Sequence, residues 1–192
     1  MDTVEPVIFG AAIEGIRRAF AKQLTPELVA QLASGGVKLE HPQVAYPADT
    51  WVFVVRTVGD ALASEVPERE RYVHIGRLFM RGFVQTGVGF AALTAGKVMG
   101  VRRTLLRMGR NFRTAANYIE TEFTEVGPKE LLIRTWVREP FLSKIKDRST
   151  LILEYRQGVL QEVMELVGGQ GQVELLAADA ARHDGRYRAT WA

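Results

Sequence analysis

The sequence predicts an α+β fold in which a helical N-terminal two-thirds packs on a C-terminal antiparallel sheet. Three observations carry this. Apolar residues recur at helical spacing up to about residue 117, the period changes to alternation after Asn117, and Gly127-Pro128 and Asp184-Gly185 punctuate the alternating runs. At 192 residues, 47% hydrophobic, the chain is long enough to bury one core. A single domain over 1–192 is expected, helical over about 1–117 and sheet-rich over about 118–192.

Ile13, Ile16 and Phe20 mark the first helix, and Thr25-Pro26 gives an N-cap and first-turn proline for a second that stops at Gly35-Gly36. Val37 to Pro47, with two prolines, reads as a loop. Asp49 or Thr50 then caps a helix with Trp51, Val54, Val55, Val58 and Leu62 on one face, although the β-branched run 51–55 suits a strand equally well. Pro67 opens a clearer helix with Tyr72, Ile75, Phe79 and Phe83 on one stripe and Arg77 and Arg81 opposite. The uncharged run Gly82 to Gly96 reads as a buried helix. At 15 residues it is shorter than the roughly 20 that span a bilayer. Val101, Leu105, Met108 and Phe112 form the apolar face of the most regular helix.

Tyr118 to Val126 and Leu131 to Val137 read as a hairpin. Arg138 to Ser149 is irregular, Leu151 to Tyr155 fits a strand, and Val159, Val163 and Leu166 a helix ended by Gly168-Gly169. Val173 to Leu176 and Tyr187 to Trp191 close the sheet around a turn at Asp184-Gly185.

Cysteine is absent, which removes disulfides, thiolate metal sites, iron–sulfur clusters and cysteine nucleophiles. Met1 to Gly10 has no positive charge of the kind that opens a secretory signal, so a cytoplasmic location is expected. Gly87-Val88-Gly89-Phe90-Ala91-Ala92 matches a loose dinucleotide pattern but lacks the acidic residue about 20 positions on. Gly168-Gly169-Gln170-Gly171 follows a helix instead of opening one. His41, His74 and His183 are not at ligand spacing, so no metal site is expected. Glu120, Glu122 and Glu125 lie on the first hairpin strand, where alternation puts the first two on one face; paired carboxylates can do acid–base work, but a solvated sheet face is the expectation.

The strongest chemical signal is basic. From Lys97 to Arg113 there are six Lys or Arg and no acid, with Arg103, Arg107 and Arg110 opposite the apolar stripe, flanked by Arg102 and Arg113. These arginines either meet carboxylates from elsewhere in the fold or serve an acidic partner: a protein surface, a phosphate-bearing ligand or nucleic acid. The absence of interleaved aromatics lowers the single-strand nucleic-acid option.

Phe9-Gly10 with Glu14-Gly15, Tyr46-Pro47 to Trp51, Gly76-Arg77, and above all Arg102-Arg103-Thr104, Phe112-Arg113-Thr114 and Asn117-Tyr118 resemble a paralogous family of uncharacterised proteins abundant in myxobacteria. More remotely, the helical front half and the ending Gly158 to Trp191 are similar to the heme-nitric-oxide-binding, vinyl-reductase-like and transport-particle superfamily. That resemblance favours the helix reading of 50–63. It implies a small apolar ligand between helices and sheet, for which Phe79, Phe83, Phe90 and Tyr118 are the pocket candidates. The heme-binding branch uses a histidine on a central helix, and the best-matching helix, 101–113, has none. Leu153-Glu154-Tyr155-Arg156-Gln157-Gly158 partly resembles that branch's tyrosine-serine-arginine heme-carboxylate motif. No cofactor is expected. The reading that follows is a non-enzymatic cytoplasmic sensor or adaptor module that binds an apolar ligand or a protein partner and forms a homodimer. The alternative is a nucleic-acid or nucleotide binder acting through 97–113.

Overall fold

The computed structural model describes residues 4–192, leaving aside the side chains of residue 69 and residues 109–114. A short strand, β1 (Val7–Phe9), runs into α1 (Gly10–Ala19), followed by α2 (Pro26–Ser34). Thr25 caps α2 by accepting from the Leu28 amide, and Gly36, at φ 86°, turns the chain out of it. The segment read as a loop contains β2 (Ala45–Pro47), which pairs antiparallel with β1. Next comes α3 (Ala48–Leu62). The helix reading of 51–55 holds because Trp51, Val54, Val55 and Val58 all bury on one face, which outweighs their β-branching. Neither Asp49 nor Thr50 caps it: α3 starts at Ala48, and Asp49 instead accepts from the Lys146 amide.

Helix α4 (Glu68–Phe83) leads to α5 (Gly87–Ala115), which breaks at Gly100, where φ 77° and ψ 174° suit only glycine. The break is a sharp bend. Thr104 Oγ1 bonds the carbonyls of Gly100 at 2.8 Å and of Gly96 at 3.0 Å, a contact eight residues back that no straight helix makes.

The sheet comprises β3 (Ile119–Gly127), β4 (Glu130–Val137), β5 (Gly171–Asp179) and β6 (Asp184–Trp191) in the order β3-β4-β6-β5, all antiparallel. Between β4 and β5 lie a short helix, α6 (Glu139–Leu142), and α7 (Leu151–Leu166). Two sequence expectations are corrected here. Leu151 to Tyr155 is the first turn of α7 and not a strand, because Leu151, Ile152, Leu153 and Tyr155 are buried on more than one side. The β5–β6 turn lies at 180–183, with His183 at φ 48°, and Asp184-Gly185 already belongs to β6.

Helix α7 is buried because it lies between layers. On one side it meets the inner face of the sheet, where Leu131, Ile133, Thr135, Tyr187 and Ala189 are buried. The Tyr187 hydroxyl donates to the Leu153 carbonyl at 3.0 Å, and Gln157 Nε2 donates to the Val173 carbonyl. On the other side it meets α4 through glycine. A Cβ on Gly158 would stand 1.9 Å from the Val73 carbonyl oxygen, and one on Gly76 would stand 2.1 Å from that of Tyr155. The face of α4 bearing Arg77 and Arg81 is accordingly not an open polar surface. Arg77 and Arg81 both converge on the buried Glu162 of α7, at 3.0 and 2.6 Å, and Arg77 also reaches Glu165. Asn117 ties the two halves together: its side chain accepts from the Val7 amide and donates to the Glu5 carbonyl.

The sequence reading that most needs correction is Gly82 to Gly96. From Gly87 on, this run is a surface helix and not a buried one: Val88, Phe90 and Val98 are 60%, 65% and 87% exposed. Its glycines serve packing on one side only, a Cβ on Gly89 standing 2.0 Å from the Phe83 carbonyl oxygen. No helix among the described residues is long and apolar enough to cross a membrane.

Candidate functional site

A cavity of about 290 Å3 opens where α1, α4, α7 and the two arms of α5 converge above the start of β3. Alternating large and small residues explain why it stays unfilled. Trp51, Phe79 and Tyr155 interlock with ring centroids 5.6 Å apart, and Phe83 stacks on Phe79. The same space is lined by Ala11, Ala12, Ala92, Ala115 and Ala116, whose methyl groups are too short to fill it. Most of the remaining lining is aliphatic or thioether, including Ile8, Met80, Met108 and Val159.

The polar exceptions are Thr104, whose hydroxyl is taken up by the α5 bend, Tyr118 and Arg156. Tyr118 and Arg156, with Ile152, line both this cavity and a smaller one beside Ile145 and His183. Arg156 is only 3% exposed. Its Nη1 donates to Thr135 Oγ1 at 3.2 Å and to the His183 carbonyl at 3.3 Å, and among the described residues no carboxylate lies within ion-pair distance. Tyr118 and Tyr155, also buried, have no hydroxyl hydrogen-bond partner among the described residues. Burial pushes the Tyr118 phenol up to about 12 and that of Tyr155 well above 10, while the Arg156 charge works against the rise. Both are therefore neutral O–H donors at physiological pH. The apolar cavity thus carries, at one end, a fixed cation and two phenols without partners.

His183 borders this end. It is 2% exposed, its Nε2 lies 2.6 Å from the Asp147 carbonyl oxygen, and burial, aided by the nearby Arg156 charge, lowers its pKa below 6.5. Below about pH 6.5 the unfolded chain takes up the proton first, so stability falls with pH until the depressed folded value is reached. Urea titrations at stepped pH check this: His183→Gln should flatten the decline between pH 6.5 and 5. A slope unchanged by the substitution would assign the decline to other groups.

Of the pocket residues expected from sequence, Phe79, Phe83 and Tyr118 line the cavity. Phe90 does not: it projects from the outer side of α5, whose first arm turns Val88, Ala92 and Leu93 toward the cavity. Arg156 was not among the pocket residues expected from sequence, although the stretch 153–158 that carries it partly resembles the heme-carboxylate motif. On the second arm of α5, Leu105 and Met108 are buried as expected, while Arg102, Arg103 and Arg107 are exposed. Arg102 pairs with Glu125 of β3, Arg107 Nη1 approaches Met99 Sδ at 3.5 Å, and Arg103 has no partner among the described residues. The side chains of Arg110, Phe112 and Arg113 lie outside the described residues.

The dinucleotide-like glycines open α5 after a helix, not after a strand, and Thr86 Oγ1 already accepts from the Gly89 amide. The second glycine run ends α7, with Gly168 at φ 92°, and leads into β5. Glu120 and Glu122 stand opposite Trp136 and Arg134, on the face of the sheet turned away from α7. Among the described residues no three His, Asp or Glu side chains cluster as metal ligands.

The family described as "Protein of unknown function (DUF2378)" matches residues 7–192. No curated protein matches the sequence. Solved structures do. An oxygen-binding H-NOX domain related to soluble guanylate cyclases aligns over 95% of this chain and 92% of its own, with TM-score 0.64 and 13% identity. A point mutant of an H-NOX protein from K. algicida, in its Fe(II) unliganded form, aligns over 96% and 97%, with TM-score 0.64 and 10% identity. A third, from work on modulating heme redox potential through porphyrin distortion, aligns over 95% and 92%, with TM-score 0.63 and 13% identity. At such identities the likeness establishes the fold: this chain has the fold of H-NOX domains.

Proposed function

The chain belongs to DUF2378, a family of proteins of unknown function, and from that premise we propose that it is a non-enzymatic, cytoplasmic sensor-type module that binds a small amphiphile. The apolar body of the ligand occupies the cavity, and its anionic end meets Arg156. The observation that carries this reading is Arg156 itself. A guanidinium does not lose its proton, and an ion withdrawn from water without a counter-charge costs several kcal/mol. Thr135 and the His183 carbonyl offset part of that cost. A carboxylate arriving with the ligand supplies the charge, and Tyr118 and Tyr155 add two donors. At about 290 Å3 the cavity lies just below the usual range for ligand pockets, roughly 300–1,000 Å3, and suits a medium-length chain better than a macrocycle.

Heme, which the fold family implies, does not fit these residues. Heme iron is held by imidazole, thiolate, methionine paired with histidine, or tyrosinate. Among the described lining residues there is no histidine and no cysteine, the thioethers of Met80 and Met108 have no histidine opposite, and about 290 Å3 is little room for a macrocycle. Parallel titrations with dodecanoate and hemin test the proposal. Dodecanoate should saturate at one equivalent, while hemin should give no protein-bound Soret band. A Soret band saturating at one equivalent, or no uptake of dodecanoate, would contradict it.

A further inference from the structure

The first arm of α5 is apolar on both sides. Its inner side, with Ala92, Leu93 and Gly96, faces the cavity or the second arm. Its outer side presents Phe90, Ala91, Thr94, Ala95 and Val98, all exposed, with Lys97 at the edge. A helix apolar all round is ordinarily buried, yet nothing among the described residues covers the outer side.

The surrounding charge indicates what does. Between Glu70 and Glu120 the chain has no acidic residue and nine Lys or Arg. Arg71, Arg77, Arg81 and Arg102 are met by Asp60, Glu162, Glu165 and Glu125. Lys97 and Arg103 are exposed and have no partner among the described residues. A second copy docking symmetrically here would bring two sets of unpaired cations together, and the segment 71–119 offers no carboxylate to meet them. Nucleic acid would satisfy the cations but leave Phe90 and Val98 in water. An anionic bilayer satisfies both, taking the apolar face into the acyl boundary and the cations onto lipid phosphate and carboxylate groups.

We propose that the outer face of residues 87–99, with Lys97 and Arg103, docks on anionic membrane surfaces. This inference does not depend on what the cavity binds. Co-sedimentation with vesicles of phosphatidylcholine alone, or with about 30% phosphatidylserine, tests it. The protein should pellet with the anionic vesicles, lose binding as salt rises, and pellet weakly with phosphatidylcholine. Phe90→Asp/Val98→Asp and Lys97→Glu/Arg103→Glu should each weaken binding at least about tenfold. Unchanged melting would show that both variants keep the fold. Equal pelleting with both vesicle types, no binding to anionic vesicles, or full binding by the Phe90→Asp/Val98→Asp variant would overturn the proposal. So would a dimer that this variant dissolves in the absence of vesicle binding, or DNA or RNA binding that survives it while vesicles are ignored.

Discussion

Gly158→Ala is expected to lower stability by about 3 kcal/mol, at the upper end of what overpacking usually costs. An alanine Cβ there meets the Val73 carbonyl oxygen at 1.9 Å and the Arg77 amide nitrogen at 3.0 Å. Both are backbone atoms, so no rotamer change relieves the clash. α4 and α7 must move apart, and the Trp51, Phe79 and Tyr155 cluster built on their contact loosens with them. Since α7 also carries Arg156 and contacts the sheet, the damage spreads to both sides of the core. Urea unfolding of the variant gives the loss directly. Gly87→Ala is the control. Nothing lies within 4 Å of its added Cβ, and its stability should stay within about 0.5 kcal/mol of the parent. Equal midpoints for the two variants would mean that α4 and α7 do not approach through glycine.

That glycine contact shows where the sequence is legible and where it is not. The run of helices before the sheet, the hairpin and the α+β class follow from periodicity and turn chemistry, which are local. Leu105 and the caps at Thr25 and Gly35-Gly36 fall where spacing puts them. Leu151 to Tyr155 reads as a strand because a helix buried on several sides loses its amphipathic period, and only the sheet beneath and α4 above reveal it as helix. The error at Gly82 to Gly96 is the converse. Lack of charge signals burial only if something covers the segment, and sequence cannot show that the fold stops short of its outer face. Phe79, Phe83 and Tyr118 are legible as cavity residues, and Arg156 only through the partial motif resemblance at 153–158. Its burial without a carboxylate partner among the described residues is not legible, because it depends on residues 135 and 183 arriving from other strands and turns.

The second large effect follows from that residue. Arg156→Met keeps an unbranched apolar stem along the cavity wall and removes the cation. Affinity for dodecanoate should fall about 30-fold or more, since a charge-assisted hydrogen bond contributes roughly 1.5–3 kcal/mol and each 1.4 kcal/mol is tenfold. Affinity for dodecanol, which has the same chain and no charge, should change little. The contrast separates an anchor from a packing residue, because a merely structural arginine would weaken both ligands alike. A parallel loss for acid and alcohol would place Arg156 outside the binding interaction.

Native mass spectrometry of the purified protein, before and after organic extraction, tests the central claim most directly. A species heavier than the bare chain is expected, with an added mass that extraction removes and negative-ion spectra identify as an acidic amphiphile, and that is absent from Arg156→Met. A protein that flies only at the mass of its chain, or that carries heme, would contradict it.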